Sequence, residues 1–188
     1  MSRVQPMDLA ALTSAQQEAI NRAADLMGFV ANDALIMARK PALMQAFGAL
    51  VAAVYAPGKV EDGLKRLIGL VTSNAAGCQY CTGHAAFTSQ HHGVSAAKLA
   101  AVWGFEQSEL YTEAEKAALR VALLAGQAPT GVTDEAYAEL ADFFDEDAQL
   151  EIVAVIAMFG FLNRWNSTLA TDLESIPKSA LDAARLTE

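Results

Sequence analysis

Nowhere in this chain do apolar and polar residues alternate as a half-buried strand requires; apolar side chains instead recur three and four positions apart in almost every segment. That periodicity restricts the fold to an all-α, single-domain helical bundle, and the breakers divide it into about eight to ten helices. Ser14 and Gln17 have capping-box spacing at the head of a first helix over residues 14–27, and a second starts after Asn32. Pro41 opens a third helix, which Pro57 and Gly58 stop, and "EDGLKRLIGLVTSNAAG" carries a fourth up to Gly77. The next helix, over residues 78–92, should end at Gly93, with Ser95 capping the short segment after it. Thr112 with Glu115 forms a second capping box, Thr133 or Asp134 caps a further helix, and Asp145 starts a long one through "LNRWNS". After Pro177 the chain is one more helix or a tail. The domain 1–188 thus divides into an N-terminal helical extension (1–40), a core (41–170) and a C-terminal tail (171–188).

A chain of 188 residues buries enough apolar surface to fold without disulfide or metal staples, so a cysteine pair is not needed for stability. At 53% hydrophobic and 19% charged it is slightly apolar for a lone monomer, which points to association of copies. Thirteen basic against twenty-two acidic residues give a net charge of -9, the wrong sign for nucleic acid or an anionic membrane surface. The N-terminus has no apolar run of signal-peptide length, and the longest run, Ile152 to Leu162, is too short to cross a bilayer and reads as a buried core helix. A cytoplasmic setting is expected. Thiols are kept reduced there, so two cysteines three apart suggest redox or metal chemistry.

Both cysteines and all three histidines fall between Gly77 and Gly93, in "GCQYCTGHAAFTSQHHG". On a helix Cys78 and Cys81 share a face, with Cβ atoms about 5–6 Å apart. That spacing is within reach of a disulfide. The helix N-terminus favours thiolate over thiol. His84 follows Cys81 by one turn, where an imidazole can move protons for a thiol. The segment therefore holds a nucleophile, a resolving thiol and a general acid/base. A thiolate that attacks peroxide becomes a sulfenic acid, which a second thiol condenses to a disulfide and an external dithiol resets. A zinc module using Cys78, Cys81 and His84 is the alternative, although it lacks a clear fourth ligand unless His91, His92 or a partner subunit supplies one. His91 and His92 suit the helix C-terminus, where imidazolium complements the dipole. Tyr80 is either a hydrogen-bond donor to the site or a packing residue.

"GCQYCTGHAAF", after the helix "LKRLIGLVTSNAA" and before "FGFLNRWNSTLA" with its Asn163-Arg164 pair, resembles the alkylhydroperoxidase D-like and carboxymuconolactone decarboxylase-like superfamily, in particular its peroxidase-related branch. The likeness spans residues 40 to 170. It implies an all-α enzyme forming dimers, trimers or hexamers, with peroxiredoxin-type thiol peroxidase or disulfide reductase activity and no cofactor or metal. Cys81 would be the peroxidatic thiol, Cys78 the resolving one and His84 their proton carrier, with Tyr80, Arg66 and Arg164 as possible lining. The implied partners are a small hydroperoxide and an external dithiol, either a reductant protein or a lipoyl-type donor. A non-catalytic oligomeric member is the other alternative. Family members with a proton relay usually carry a glutamate twelve residues ahead of the first cysteine, where this chain has Arg66, so the relay falls to His84 or water.

Overall fold

The computed structural model describes residues 1–185 and contains ten α-helices, two short 3-10 turns and no strand among them. In chain order they are α1 (Ser14–Met27), α2 (Asn32–Met37), α3 (Pro41–Val54), α4 (Asp62–Ala75), α5 (Gln79–His91), α6 (Ala96–Ala100), α7 (Glu113–Ala125), α8 (Asp134–Ala141), α9 (Glu146–Leu169) and α10 (Ser175–Arg185). Expected caps at Ser95, Thr112–Glu115, Thr133 and Asp145 are in place, each side chain accepting a backbone N–H in its first helical turn. The first capping box lies one residue earlier than expected, on Thr13 and Gln16. Thr13 has the extended backbone a cap needs, whereas Ser14 is already helical.

α4 is the centre of the bundle. Leu67, Ile68, Leu70 and Val71 are almost wholly buried, and the helix packs against α5, α7 and α9. Burying each such side chain contributes about 1.5–3 kcal/mol relative to exposure. Two glycines set the helix spacing. Gly69 leaves room for the Phe159 ring of α9, and a Cβ on Gly126 would stand 2.6 Å from the Thr72 carbonyl oxygen and 2.8 Å from Ala75 Cβ. Gly126→Ala must therefore push α7 off α4, and a loss of about 1–3 kcal/mol in urea unfolding is expected. An unchanged midpoint would mean that the helices slide apart at no cost.

α9 is long and apolar enough, by length and composition, to span a membrane. In the bundle it is a core helix, with Ile152, Val155, Met158 and Phe159 buried and Leu150, Val153 and Phe161 on its open face. The N-terminal extension forms its own small cluster of Leu12, Ile20, Leu35 and Ala38. Residues 171–185 include α10, the further helix that was one of the two expectations after Pro177, and it docks on α5 because its Ala180 and Leu181 are apolar and because Gly83 admits Pro177 and Leu173 at close range. The last part of that expected tail, 186–188, lies outside the described residues.

Candidate active site

The site begins where α4 ends. Gly77, at φ +70, turns the chain through the left-handed region that glycine adopts without strain, and the Cys78 N–H then bonds the Ser73 carbonyl at 3.0 Å. This leaves Cys78 with extended backbone as the N-cap of α5, its Sγ accepting the Cys81 N–H at 3.4 Å. A sulfur in that position takes the role usually filled by a serine or aspartate oxygen. It is a place for an anion.

The two thiols are unequal. Hydrogen bonding from the Cys81 thiol, from the Cys81 and Tyr80 N–H groups and from the Ser167 hydroxyl outweighs burial and lowers the Cys78 pKa to about 6. Cys81 shifts the other way, because its proton is held by the Cys78 sulfur and it is buried beside that charge. The family resemblance implies Cys81 as the peroxidatic thiol and Cys78 as the resolving one. The rate of Cys78 alkylation by iodoacetamide is expected to rise about tenfold per pH unit below pH 6 and to level off above about pH 7. A midpoint near that of a free thiol would mean that the cap does not hold a thiolate.

Cys78 is only 2% exposed, and it opens onto a cavity of about 300 Å³ lined with Gly77, Tyr80, Asn166, Ser167 and Thr171 among others. A second cavity of about 130 Å³, between Val71, Trp103, Phe105 and Leu123, holds no nucleophile. Ala170, in left-handed conformation at φ 49, ends α9 and lets the Thr171 N–H return to the Asn166 carbonyl at 3.1 Å, which brings Thr171 back to the cavity wall.

His84 is one turn beyond Cys81, as expected, but its partner is a carboxylate. Its Nε2 lies 2.7 Å from Glu174 Oε2, its ring stacks on Tyr80 at 4.3 Å, and Phe29 meets it edge-on at 5.2 Å. Tyr80 donates its hydroxyl to Glu174 Oε1 at 2.9 Å and accepts the Asp33 N–H at 3.2 Å. Burial alone would raise the Glu174 carboxyl; the His84 bond and charge, with the Asn32 N–H, outweigh it and hold the carboxyl below its ordinary value. Burial and the charges of Asp33 and Glu174 raise the Tyr80 phenol, which stays protonated. Tyr80, Glu174 and His84 thus form one hydrogen-bonded chain, of which Tyr80 also lines the cavity.

Arg66 and Arg164 do not line the cavity. The Arg66 guanidinium lies 3.5 Å over the Tyr55 ring and bonds Asp62 at 3.2 Å, and Asp62 also takes His92 at 2.5 Å. Arg164 is exposed, since α9 turns Asn163 and Asn166 inward instead. His91 bonds the Phe87 carbonyl at the helix end. Among the described residues no group of three or more His, Cys, Asp or Glu side chains is arranged to hold a metal ion.

Three participants were missed in the sequence. Asn166 donates its amide to Cys81 Sγ at 3.5 Å and to Asp33 Oδ2 at 3.3 Å, so Asp33 reaches the thiol pair through Asn166. A polar residue three positions after Asn163, on the inward face of an apolar helix, was a signal available for Asn166. Asp33 reads only as a helix-start residue. Glu174 carries no local signal, because its meeting with His84 spans ninety positions of chain.

Comparison with known proteins starts from residues 41–123, α3 to most of α7, which match the carboxymuconolactone decarboxylase family. The chain also superposes on the apo structure of the debrominase Bmp8 with a TM-score of 0.91 and 34% identity, covering 96% of this chain and 97% of that one. The chain belongs to the alkylhydroperoxidase D-like and carboxymuconolactone decarboxylase-like superfamily. Within that superfamily it shares its fold with a peroxidase-related protein from Ralstonia eutropha JMP134, at TM-score 0.83 and 24% identity over 98% of this chain and 96% of the other. The Escherichia coli K12 protein YnjA, itself uncharacterized, is 32% identical over 92 residues, 49% of this chain. The matched stretch spans about half of YnjA. The family match covers the thiol motif but ends before α9 and the turn after it, which bring Asn166, Thr171 and Glu174.

Proposed function

We propose that the protein is a dithiol reductase of small hydroperoxides in which Cys78 is the attacking sulfur and Cys81 the resolving one. The observation that carries this reading is a thiol with its pKa lowered to about 6, on the wall of a cavity of about 300 Å³, with a second thiol in the same helical turn. The Cys78 thiolate attacks the outer peroxide oxygen and the O–O bond breaks. The alcohol leaves after taking a proton, and a cysteine sulfenic acid remains. Cys81 then attacks that sulfur, water departs, and a disulfide closes. The sum is ROOH plus two thiols giving ROH, water and the disulfide. Water entering the cavity lends the proton to the leaving oxygen, since the Tyr80 hydroxyl already donates to Glu174. An external dithiol, from a reductant protein or a lipoyl-type donor, restores the thiols. The uncharged and largely exposed α3 fits association into a homo-oligomer, and the chain's acidity fits a cytoplasmic protein that binds neither nucleic acid nor membrane.

A second reading has its own support, namely the debrominase that matches over nearly its full length. A cysteine-to-alanine variant of that protein was crystallised with 2,3,4-tribromopyrrole. The same two thiols could supply the two electrons that replace bromine by hydrogen, giving the debrominated ring, hydrogen bromide and the disulfide.

Intact mass after one equivalent of cumene hydroperoxide should show the loss of two hydrogens, with cumyl alcohol released. If the thiols stay free and the peroxide persists while a bromopyrrole yields bromide and the same mass loss, the second reading replaces the first. If neither occurs, both fail.

A further inference from the structure

We propose that Thr171 and Asn166 form a substrate subsite that selects electrophiles carrying an N–H or O–H donor beside the atom that Cys78 attacks. This rests on the reading that Cys78 is the reacting sulfur.

The two residues are 8% and 2% exposed and both line the cavity. Each has one buried oxygen without a protein partner, Thr171 Oγ1 and Asn166 Oδ1. The orientation of the Asn166 amide is settled by its neighbours. Its Nδ2 must face the Asp33 carboxylate, which can only accept, so the lone oxygen is the acceptor Oδ1. Arg66, Ser73, Asn163 and Trp165 also carry buried atoms without partners, but none of these residues lines the cavity.

Buried polar atoms are normally paired, and valine in place of Thr171 would fill the same volume without an unpaired hydroxyl. Two unpaired oxygens on residues that line the same cavity as Cys78 are therefore best satisfied by a ligand, and Oδ1 requires that ligand to donate. A hydroperoxide meets this requirement, because the oxygen attacked bears the hydrogen. So does an N–H heteroaromatic ring with its leaving atom next to the nitrogen. A dialkyl peroxide or an N-alkylated ring does not.

The test uses the whole protein and two alkylating probes, iodoacetamide and its N,N-dimethyl analogue, so it needs no turnover. In each reaction the Cys78 S–C bond forms, the C–I bond breaks and iodide leaves. Relative to glutathione, wild type should prefer the N–H probe by about fivefold, and Thr171→Val should lose about half of that preference, the rest staying with Asn166 Oδ1, while melting no lower than wild type. Thr171→Ser, which keeps the hydroxyl, should regain it. A wild-type preference equal to that of glutathione, or one that Thr171→Val leaves intact, would overturn the subsite. Peptide mapping separates the underlying reading: an adduct on Cys81 would overturn the choice of nucleophile, and the subsite with it. Failure of hydroperoxide turnover with the alkylation preference intact would remove the peroxidase reading and leave the subsite standing.

Discussion

Cys78→Ser is expected to lower hydroperoxide turnover by about 10³-fold or more, because a serine hydroxyl at the same helix cap is not ionised at neutral pH and is a poor nucleophile. Cys81→Ser should behave differently. Its hydroxyl can still donate to the Cys78 sulfur, which is the largest cause of the lowered pKa, so the first oxidation should proceed and a sulfenic acid should accumulate that dimedone traps once per chain. Cys81→Ala removes the donor altogether, and the Cys78 midpoint should climb from about 6 toward the free-thiol value of about 8.5. The three variants thus separate attack, resolution and tuning. If Cys78→Ser still forms a sulfenic acid and Cys81→Ser does not, the order implied by the family resemblance is the correct one and the helix cap is only structural.

Lys65→Met is expected to cost about 2–4 kcal/mol in urea unfolding, with the slope unchanged. Lys65 is 2% exposed near the N-terminal end of α4, and its Nζ bonds the Val54 and Ala56 carbonyl oxygens, each at 3.1 Å, and Glu151 Oε2 at 3.0 Å. Glu151 in turn accepts the Lys59 and Val60 N–H groups at 2.8 and 3.1 Å. One ammonium therefore ties the end of α3 and the following loop to α4 and α9. Methionine keeps the apolar stem but strands two carbonyls and leaves the carboxylate with its backbone donors alone. Glu151→Gln in the Lys65→Met background should recover part of the loss, since the amide oxygen still accepts from the backbone and no unpaired charge remains. A loss below about 1 kcal/mol for Lys65→Met would show that water replaces the ammonium and that the pair is not the anchor.

Much of the local structure was legible in the residues. The caps at Ser95, Thr112, Thr133 and Asp145, the breaks at Pro57 and Gly77, and the clustering of Cys78, Cys81 and His84 on one helix are all short-range, and short-range signals depend on neighbours a few positions apart. Lys65 shows the opposite case. Within "EDGLKRLIGL" it looks like one of two exposed basic residues, and nothing nearby announces that Glu151 will neutralise it.

The sequence by itself determined an all-α chain, the positions of most helix ends and a thiol pair at the head of one helix. Only the tertiary structure decided which sulfur caps the helix and opens onto the cavity, which groups line that cavity and what His84 holds. Those outcomes depend on Ser167, Asn166, Thr171 and Glu174 arriving from α9 and the turn after it, and on Asp33 arriving from α2. A proton's affinity is set by the charges and dipoles within a few ångströms of it. Chain distances of fifty to one hundred and forty residues leave no trace of those neighbours in any local pattern.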